Sequence, residues 1–202
     1  MSMERFFIQD DIILHGDTVS LVPLSASHAD ALVEAATDGK LWELWYTSVP
    51  NAESVEGYIA SALDEKAKNK ALPFAVIEKE SGRVIGSTRL ANADAANKRV
   101  ELGYTWYASR YHRSSVNTEC KRLLLAYAFE SLGVIAVEFR THWLNQASRA
   151  AIARLGAKQD GVLRNHKIVN GVYRDTVVFS IIESEWPAIK LNLDYKLARY
   201  RG

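Results

Sequence analysis

The sequence predicts a mixed domain, α+β or α/β, with helices packed on a sheet. Apolar residues recur at helical spacing in several segments, and elsewhere the period falls to two, as strands require. The segment Val100–Tyr107 is followed by a polar loop, a long apolar helix and another strand, which makes a βαβ unit with a right-handed crossover. No repeat, linker or low-complexity run divides the 202 residues, a length that buries a sizeable core as one domain.

Val19–Leu24 alternates loosely and ends near Pro23, giving a first strand. Ser25 or Ser27 caps a helix through Ala36, closed by Asp38-Gly39. Leu41, Trp42, Leu44 and Trp45 suit a second, short helix. Ser54 opens a better one, since Val55, Tyr58, Ile59, Ala62 and Leu63 share a face; it turns polar over Lys66–Lys70 and stops before Pro73. Phe74–Glu78 and Arg83–Leu90 then form a hairpin across Glu80-Ser81-Gly82. After the polar loop Asn92–Lys98, Val100–Tyr107 completes an antiparallel meander. Alternation there puts Val100, Leu102, Tyr104 and Trp106 on one face and Glu101, Gly103, Thr105 and Tyr107 on the other.

A helix over about Val116–Leu132 carries Val116, Cys120, Leu123, Leu124, Tyr127 and Ser131 on one stripe. Leu125, Phe129 and Leu132 widen it, so the helix is buried on most sides and closes at Gly133. Ala136–Thr141 is a short strand and Gln146–Leu155 a short helix ended by Gly156. Val162–Val169 and Tyr173–Ile181 pair across Asn170-Gly171, a strong hairpin signal. Trp186–Arg201 is a closing helix or docked tail on a core of about 19–186.

Composition narrows the class. The chain is 48% hydrophobic and 24% charged, with 11 Gly and 4 Pro, which excludes disorder and collagen-like repeats. A net charge of +1 supplies no overall field for nucleic acid or anionic membrane. The single Cys120 leaves no internal disulfide and suits a reducing compartment. The first residues carry acids early and lack a long apolar run, unlike a secretory leader. No segment nears the ~20 apolar residues of a membrane span. The expectation is a cytoplasmic protein with neither nucleic acid nor membrane as partner.

Residues 110–119, Arg-Tyr-His-Arg-Ser-Ser-Val-Asn-Thr-Glu, hold the sharpest functional signal. Small polar residues there precede a helix whose first N–H groups lack internal partners, and Arg110 and Arg113 add charge. Such a segment suits phosphate, and it lies beyond the carboxyl end of a strand, where βαβ units bind ligands.

This organisation resembles the GNAT acyltransferase superfamily, in particular its RimJ/RimL-type branch of ribosomal-protein N-acetyltransferases. The likeness rests on Val100–Tyr107, on Val116-Asn117-Thr118-Glu119-Cys120-Lys121, and on the segment 145–157, where Asn145, Ser148 and Leu155-Gly156-Ala157 recur in order. It spans about Val19 to Trp186. The resemblance implies a central, mostly antiparallel twisted sheet with one splayed parallel pair. It also implies acetyl-CoA as cosubstrate, with its pyrophosphate on the loop before the central helix, and no metal. The superfamily loop Gln/Arg-x-x-Gly-x-Gly/Ala falls on His112-Arg113-Ser114-Ser115-Val116-Asn117, so Ser115 and Asn117 stand where glycines are usual. With Thr118, these residues would hold the cofactor phosphates.

The same resemblance assigns Glu101 as the base that deprotonates the attacking amine; otherwise it is a salt-bridge partner of Arg99, Arg89 or Arg140. Asn145 would bond the pantetheine arm or cap its helix, with Arg149 beside it. Ser148 would donate a hydrogen bond to the departing thiolate. A Tyr usual four residues later is replaced by Ile152, leaving Tyr104, Tyr107 and Tyr173 as substitutes. Backbone amides of Tyr104, Thr105, Trp106 and Tyr107 would polarise the thioester carbonyl. The amine attacks directly, a tetrahedral oxyanion forms and CoA leaves. Trp42, Trp45 and Tyr46 either anchor a helix or wall the acceptor pocket.

Other signals carry less. The five histidines, His15, His28, His112, His142 and His166, show no metal-ligand spacing and read as surface or loop residues, with His112 the exception. Cys120 is a core residue, Ser114 and Ser115 lie in no nucleophile elbow, and Lys66, Lys68 and Lys70 form a solvated face. No Walker or Gly-x-Gly-x-x-Gly motif supports a nucleotide-binding protein. The expectation is an N-acetyltransferase acting on a protein N-terminus or small amine, as monomer or homodimer. The alternative is a CoA-binding regulatory module without catalysis.

Overall fold

Among the described residues, eight strands form one sheet in the order β1-β2-β3-β4-β5-β6-β8-β7. The computed structural model describes residues 6–7, 11–169 and 171–200. The strands are β1 (Leu14–His15), β2 (Val19–Pro23), β3 (Leu72–Glu78), β4 (Val84–Asp94), β5 (Arg99–Tyr107), β6 (Ala136–His142), β7 (Lys158–Val169) and β8 (Val172–Ile182). All neighbours run antiparallel except β5 and β6, which are parallel. The helices are α1 (Ala29–Thr37), α2 (Val55–Ala67), α3 (Val116–Ala126), α4 (Gln146–Leu155) and α5 (Trp186–Ala198).

Two apolar clusters cover the two faces. On one face Val100, Leu102, Val137 and Phe139 pack against Leu124 and Leu125 of α3, Leu155 of α4 and Leu193 of α5. On the other, Leu32 of α1 and Ile59 of α2 pack with Ala75 and Trp106. The βαβ unit therefore contributes to both layers, and its central helix is buried on most sides as expected.

The meander β3–β4–β5 forms as read, and so does the turn after Glu78, where Gly82 takes φ +69° and donates to Glu78 O at 2.9 Å. Pro73 lies inside β3 opposite Arg89, one residue before the expected strand start. Strand β4 continues to Asp94, into the segment expected to be loop. It does so through Asn92 at φ +50°, after which Asp94 pairs with Arg99.

The alternation expected along β5 fails at Tyr104. That residue takes φ +52°, and the register between β4 and β5 slips between Ser87 and Arg89. A bulge inserts one residue and reverses every later side chain. Tyr107 thus joins Val100 and Leu102 in the first cluster, whereas Trp106 enters the second. Tyr104 is left 45% exposed.

Two helices differ from expectation. The short helix around Trp42 is only a 3₁₀ turn over Leu41–Glu43, because Gly39 and Lys40 enter it at positive φ and Leu44 leaves it extended. The central helix changes to a π turn over Tyr127–Ser131 before Gly133 closes it at φ +64°. Helix α5 occupies the expected closing position. Of the last hairpin turn, Gly171 takes φ +77°; Asn170, Arg201 and most of the N-terminal segment read as no leader lie outside the described residues.

Glu119 fastens the sheet edge to the central helix. Buried on α3, its carboxylate accepts from the amides of Asp17 and Thr18 and from the Thr18 hydroxyl, at the turn between β1 and β2. A Cβ on Gly16 would collide with the same carboxylate. Glu119→Ala removes the charged acceptor that these three donors share and should cost about 2 kcal/mol, read as a lower urea midpoint at unchanged m-value. A loss below about 1 kcal/mol would show that the turn holds itself.

Candidate active site

Strands β5 and β6 pair only at Arg99–Ala136, Val100–Val137 and Glu101–Glu138. Beyond Glu101 they part, so one edge of β5 from Leu102 to Tyr107 faces no strand. The bulge at Tyr104 lies within this stretch. That edge has no partner strand and borders a gap between two carboxyl strand ends, a place suited to receiving a carbonyl oxygen.

Glu101 stands at the base of the gap with an 11% exposed side chain. Asn92 Nδ2 donates to it at 2.7 Å. Of the three arginines weighed as ion-pair partners, only Arg140 approaches, at 3.7 Å, and that guanidinium bonds Glu138 at 3.0 Å. Arg99 is held by Glu138. Burial raises the Glu101 pKa above the carboxylate norm, and the Asn92 bond and Arg140 oppose the shift without cancelling it. A carboxylate so raised is a better proton acceptor at neutral pH.

The anion loop is built differently from its sequence analogy. Arg113 carries the positive φ, +63°, while Ser115 is right-handed at φ −68° and Asn117 lies inside α3. Neither replaced glycine therefore needs a left-handed backbone. Ser114 Oγ donates to Tyr111 O at 2.7 Å and lies 3.3 Å from Val116 N. Glu119 N, bonded to Ser115 O at 2.9 Å, begins the helical ladder, so the amides of Asn117 and Thr118 precede it. Exposed His112 sets Nε2 3.0 Å from Tyr107 O, an acceptor, so that nitrogen holds the proton. Arg110 is committed to Asp38 at 2.6 Å and ties the loop to α1; this bond holds the Asp38 carboxyl below its usual range. Arg113 has no ion pair among the described residues.

At the end of β6, Asn145 caps α4, its Oδ1 accepting from Ser148 N at 3.0 Å. Ser148 is half-buried in the first turn, and Arg149 stacks on Trp143 at 4.3 Å. Ile152 is in the core, so no hydroxyl replaces the missing Tyr there. Of the substitutes, the Tyr107 hydroxyl is buried in the core, Tyr173 stands exposed on the last hairpin, and Tyr104 borders the gap.

The aromatic trio divides. Trp42 packs on the second cluster, as an anchor would. Trp45 is 61% exposed, meets Tyr46 edge-on at 5.7 Å and His142 at 5.0 Å. His142, read as a surface or loop residue, is instead buried as the last residue of β6; its Nδ1 accepts from Leu144 N at 2.9 Å. Burial lowers its pKa.

Among known proteins, residues 18–158 match the Acetyltransferase (GNAT) domain family. The chain belongs to the GNAT family. A GCN5-related N-acetyltransferase from Brucella melitensis superposes with a TM-score of 0.83 at 33% identity, over 94% of this chain and 86% of that one. YdaF of Bacillus subtilis, named as a ribosomal N-acetyltransferase, is 34% identical over 109 residues, 54% of this chain. That match spans 59% of YdaF, somewhat over half its length. RimJ of Mycobacterium smegmatis, solved with CoA-disulfide, shares the fold at a TM-score of 0.78 and 19% identity, over 96% and 97% of the two chains. The parted parallel pair and mixed sheet are thus the GNAT arrangement.

Two buried cations beside β5 carried no site role in the sequence reading, where Arg89 was weighed only as an ion-pair partner of Glu101. Arg89 follows Ser87-Thr88 on β4, and Lys121 follows Cys120 on the buried helix. Lys121 is 5% exposed and donates to Thr105 Oγ1 at 2.5 Å; that hydroxyl also meets Thr88 Oγ1 at 2.7 Å. Burial lowers the Lys121 ammonium to about 7. The unfolded chain keeps that proton to about pH 10.4. Between these values the unfolded state binds more protons, so stability rises with pH across the window and levels below it. Lys121→Met should flatten this rise in urea midpoints taken from pH 6 to 10. The same slope in the variant would assign the effect to another group.

Proposed function

We propose that this chain is an N-acetyltransferase that moves an acetyl group from acetyl-CoA to a primary amine by direct attack in a ternary complex. The observation that carries the reading is the gap beyond Glu101, with a buried, raised carboxylate at its base and an anion loop at its mouth. Family membership supports the acetyl donor.

The donor supplies an activated thioester. The chain's own groups fit it: Arg113 makes no ion pair among the described residues, and the first amides of α3 precede the helical ladder, where phosphate binds. Ser114, Ser115, Asn117 and Thr118 line the same turn. Asn145 keeps an amide nitrogen for the pantetheine arm while its oxygen caps α4. Amides around the Tyr104 bulge take up charge developing on the carbonyl oxygen. Glu101 removes the proton from the acceptor ammonium, and Ser148 donates to the leaving sulfur. Trp45, with Tyr46 and His142, borders the acceptor side. The name of YdaF favours a protein or peptide amine over a purely small one.

Acetyl-CoA with a panel of peptides and small amines should release thiol above background. Tight CoA binding without release would replace the enzyme reading with a binding module. Glu101→Gln should lower kcat/KM by about 100-fold. In the wild type the rate should fall as pH drops through the raised Glu101 pKa; that limb disappears in the variant. Arg113→Ala should weaken CoA about tenfold by calorimetry. Unchanged affinity would move the phosphates off this loop.

A further inference from the structure

Arg89 is a buried charge that the proposed chemistry leaves unused. It is 5% exposed, makes no ion pair or hydrogen bond among the described residues, and its Nε is buried without a partner. Its guanidinium lies 4.2 Å from the Tyr104 ring centroid and 5.4 Å from that of Tyr58. A buried cation with unfilled donors is costly, and it persists where a ligand completes it.

Position indicates the ligand. Arg89 pairs with Gly103 and Ala91 with Glu101, so Arg89 and Glu101 are diagonal neighbours on one sheet face. Gly103 places no side chain between them, and a Cβ there would come within 3.0 Å of Glu101 Oε1. A cation and a base therefore flank a bare patch of strand at the gap. The guanidinium fork matches a planar carboxylate.

We propose that Arg89 binds a carboxylate of the acceptor, so that the preferred acceptors are amines carrying a carboxylate close to the reacting nitrogen. The inference rests on the acetyltransferase reading for the amine at Glu101. The carboxylate comes from one of two sources: the α-carboxylate of a free amino acid, or an acidic side chain at the first residue of a peptide.

Acetylated products test this without turnover. N-acetyl-L-alanine and N-acetyl-L-alaninamide represent the first source; N-acetyl-L-aspartyl amide and N-acetyl-L-asparaginamide represent the second. Titrated calorimetrically into the CoA-bound protein, one carboxylate should bind at least about tenfold tighter than its amide twin. Arg89→Gln should reduce that preference below about threefold. Should the variant fail to fold, the Nε–H NMR signal of Arg89 in the wild type should shift with the carboxylate and not with the amide. No preference in either pair, or a preference with an unmoved Arg89 signal, overturns the proposal. Thiol release from the matching free amines is measured in parallel. Carboxylate binding without release keeps this inference and removes the enzyme; transfer indifferent to the carboxylate does the reverse.

Discussion

The parting of β5 from β6 is the constraint on which the rest depends. A parallel pair joined by a buried helix would ordinarily continue its ladder, since unpaired backbone groups are costly. Here the ladder stops at Glu101–Glu138, and the bulge at Tyr104 turns the freed strand away. The cost is borne by two well-packed faces. Leu124, Val137 and Phe139 hold the strands together below, while Trp106, bonded through Nε1 to Tyr58 OH at 3.3 Å, fixes the outgoing end of β5 above. The walls of the gap therefore belong to two cores.

Charge is distributed unevenly around that gap. Glu138 takes both Arg99 and Arg140, leaving Glu101 with a distant cation and an amide donor. Carboxylates one strand apart thus have opposite tendencies: the arginines hold Glu138 below the ordinary range, while burial raises Glu101. A doubly paired acid is structural, and its weakly paired neighbour is free to exchange a proton.

Most of the fold was legible because periodicity and breakers are local. Ser54, Gly133, Gly156 and the alternation of Val100 to Leu102 each act within a few residues. The bulge was not legible, because nothing in Tyr104 itself announces a left-handed backbone; cross-strand register decides it. For the same reason the burial of His142 and the unpaired state of Arg89 were hidden, since both depend on strands far apart in sequence. The anion loop shows the reverse case. The substituted glycines looked like a departure, yet the backbone places its positive φ at Arg113 and needs none at Ser115.

The π turn at Tyr127–Ser131 has a bearing on how such chains tolerate length change. A widened turn holds one residue more than an α-turn and advances the helix phase by roughly 100°. Here that phase faces Phe129 onto Trp186, stacked at 5.4 Å, and Glu130 onto Trp186 Nε1 and Lys190 Nζ, each at 2.8 Å. A relative lacking one residue in this turn would run on as plain α-helix and aim a different side chain at α5. Alignments across the turn should therefore place any gap within 127–131, and the partner of Trp186 should change with it.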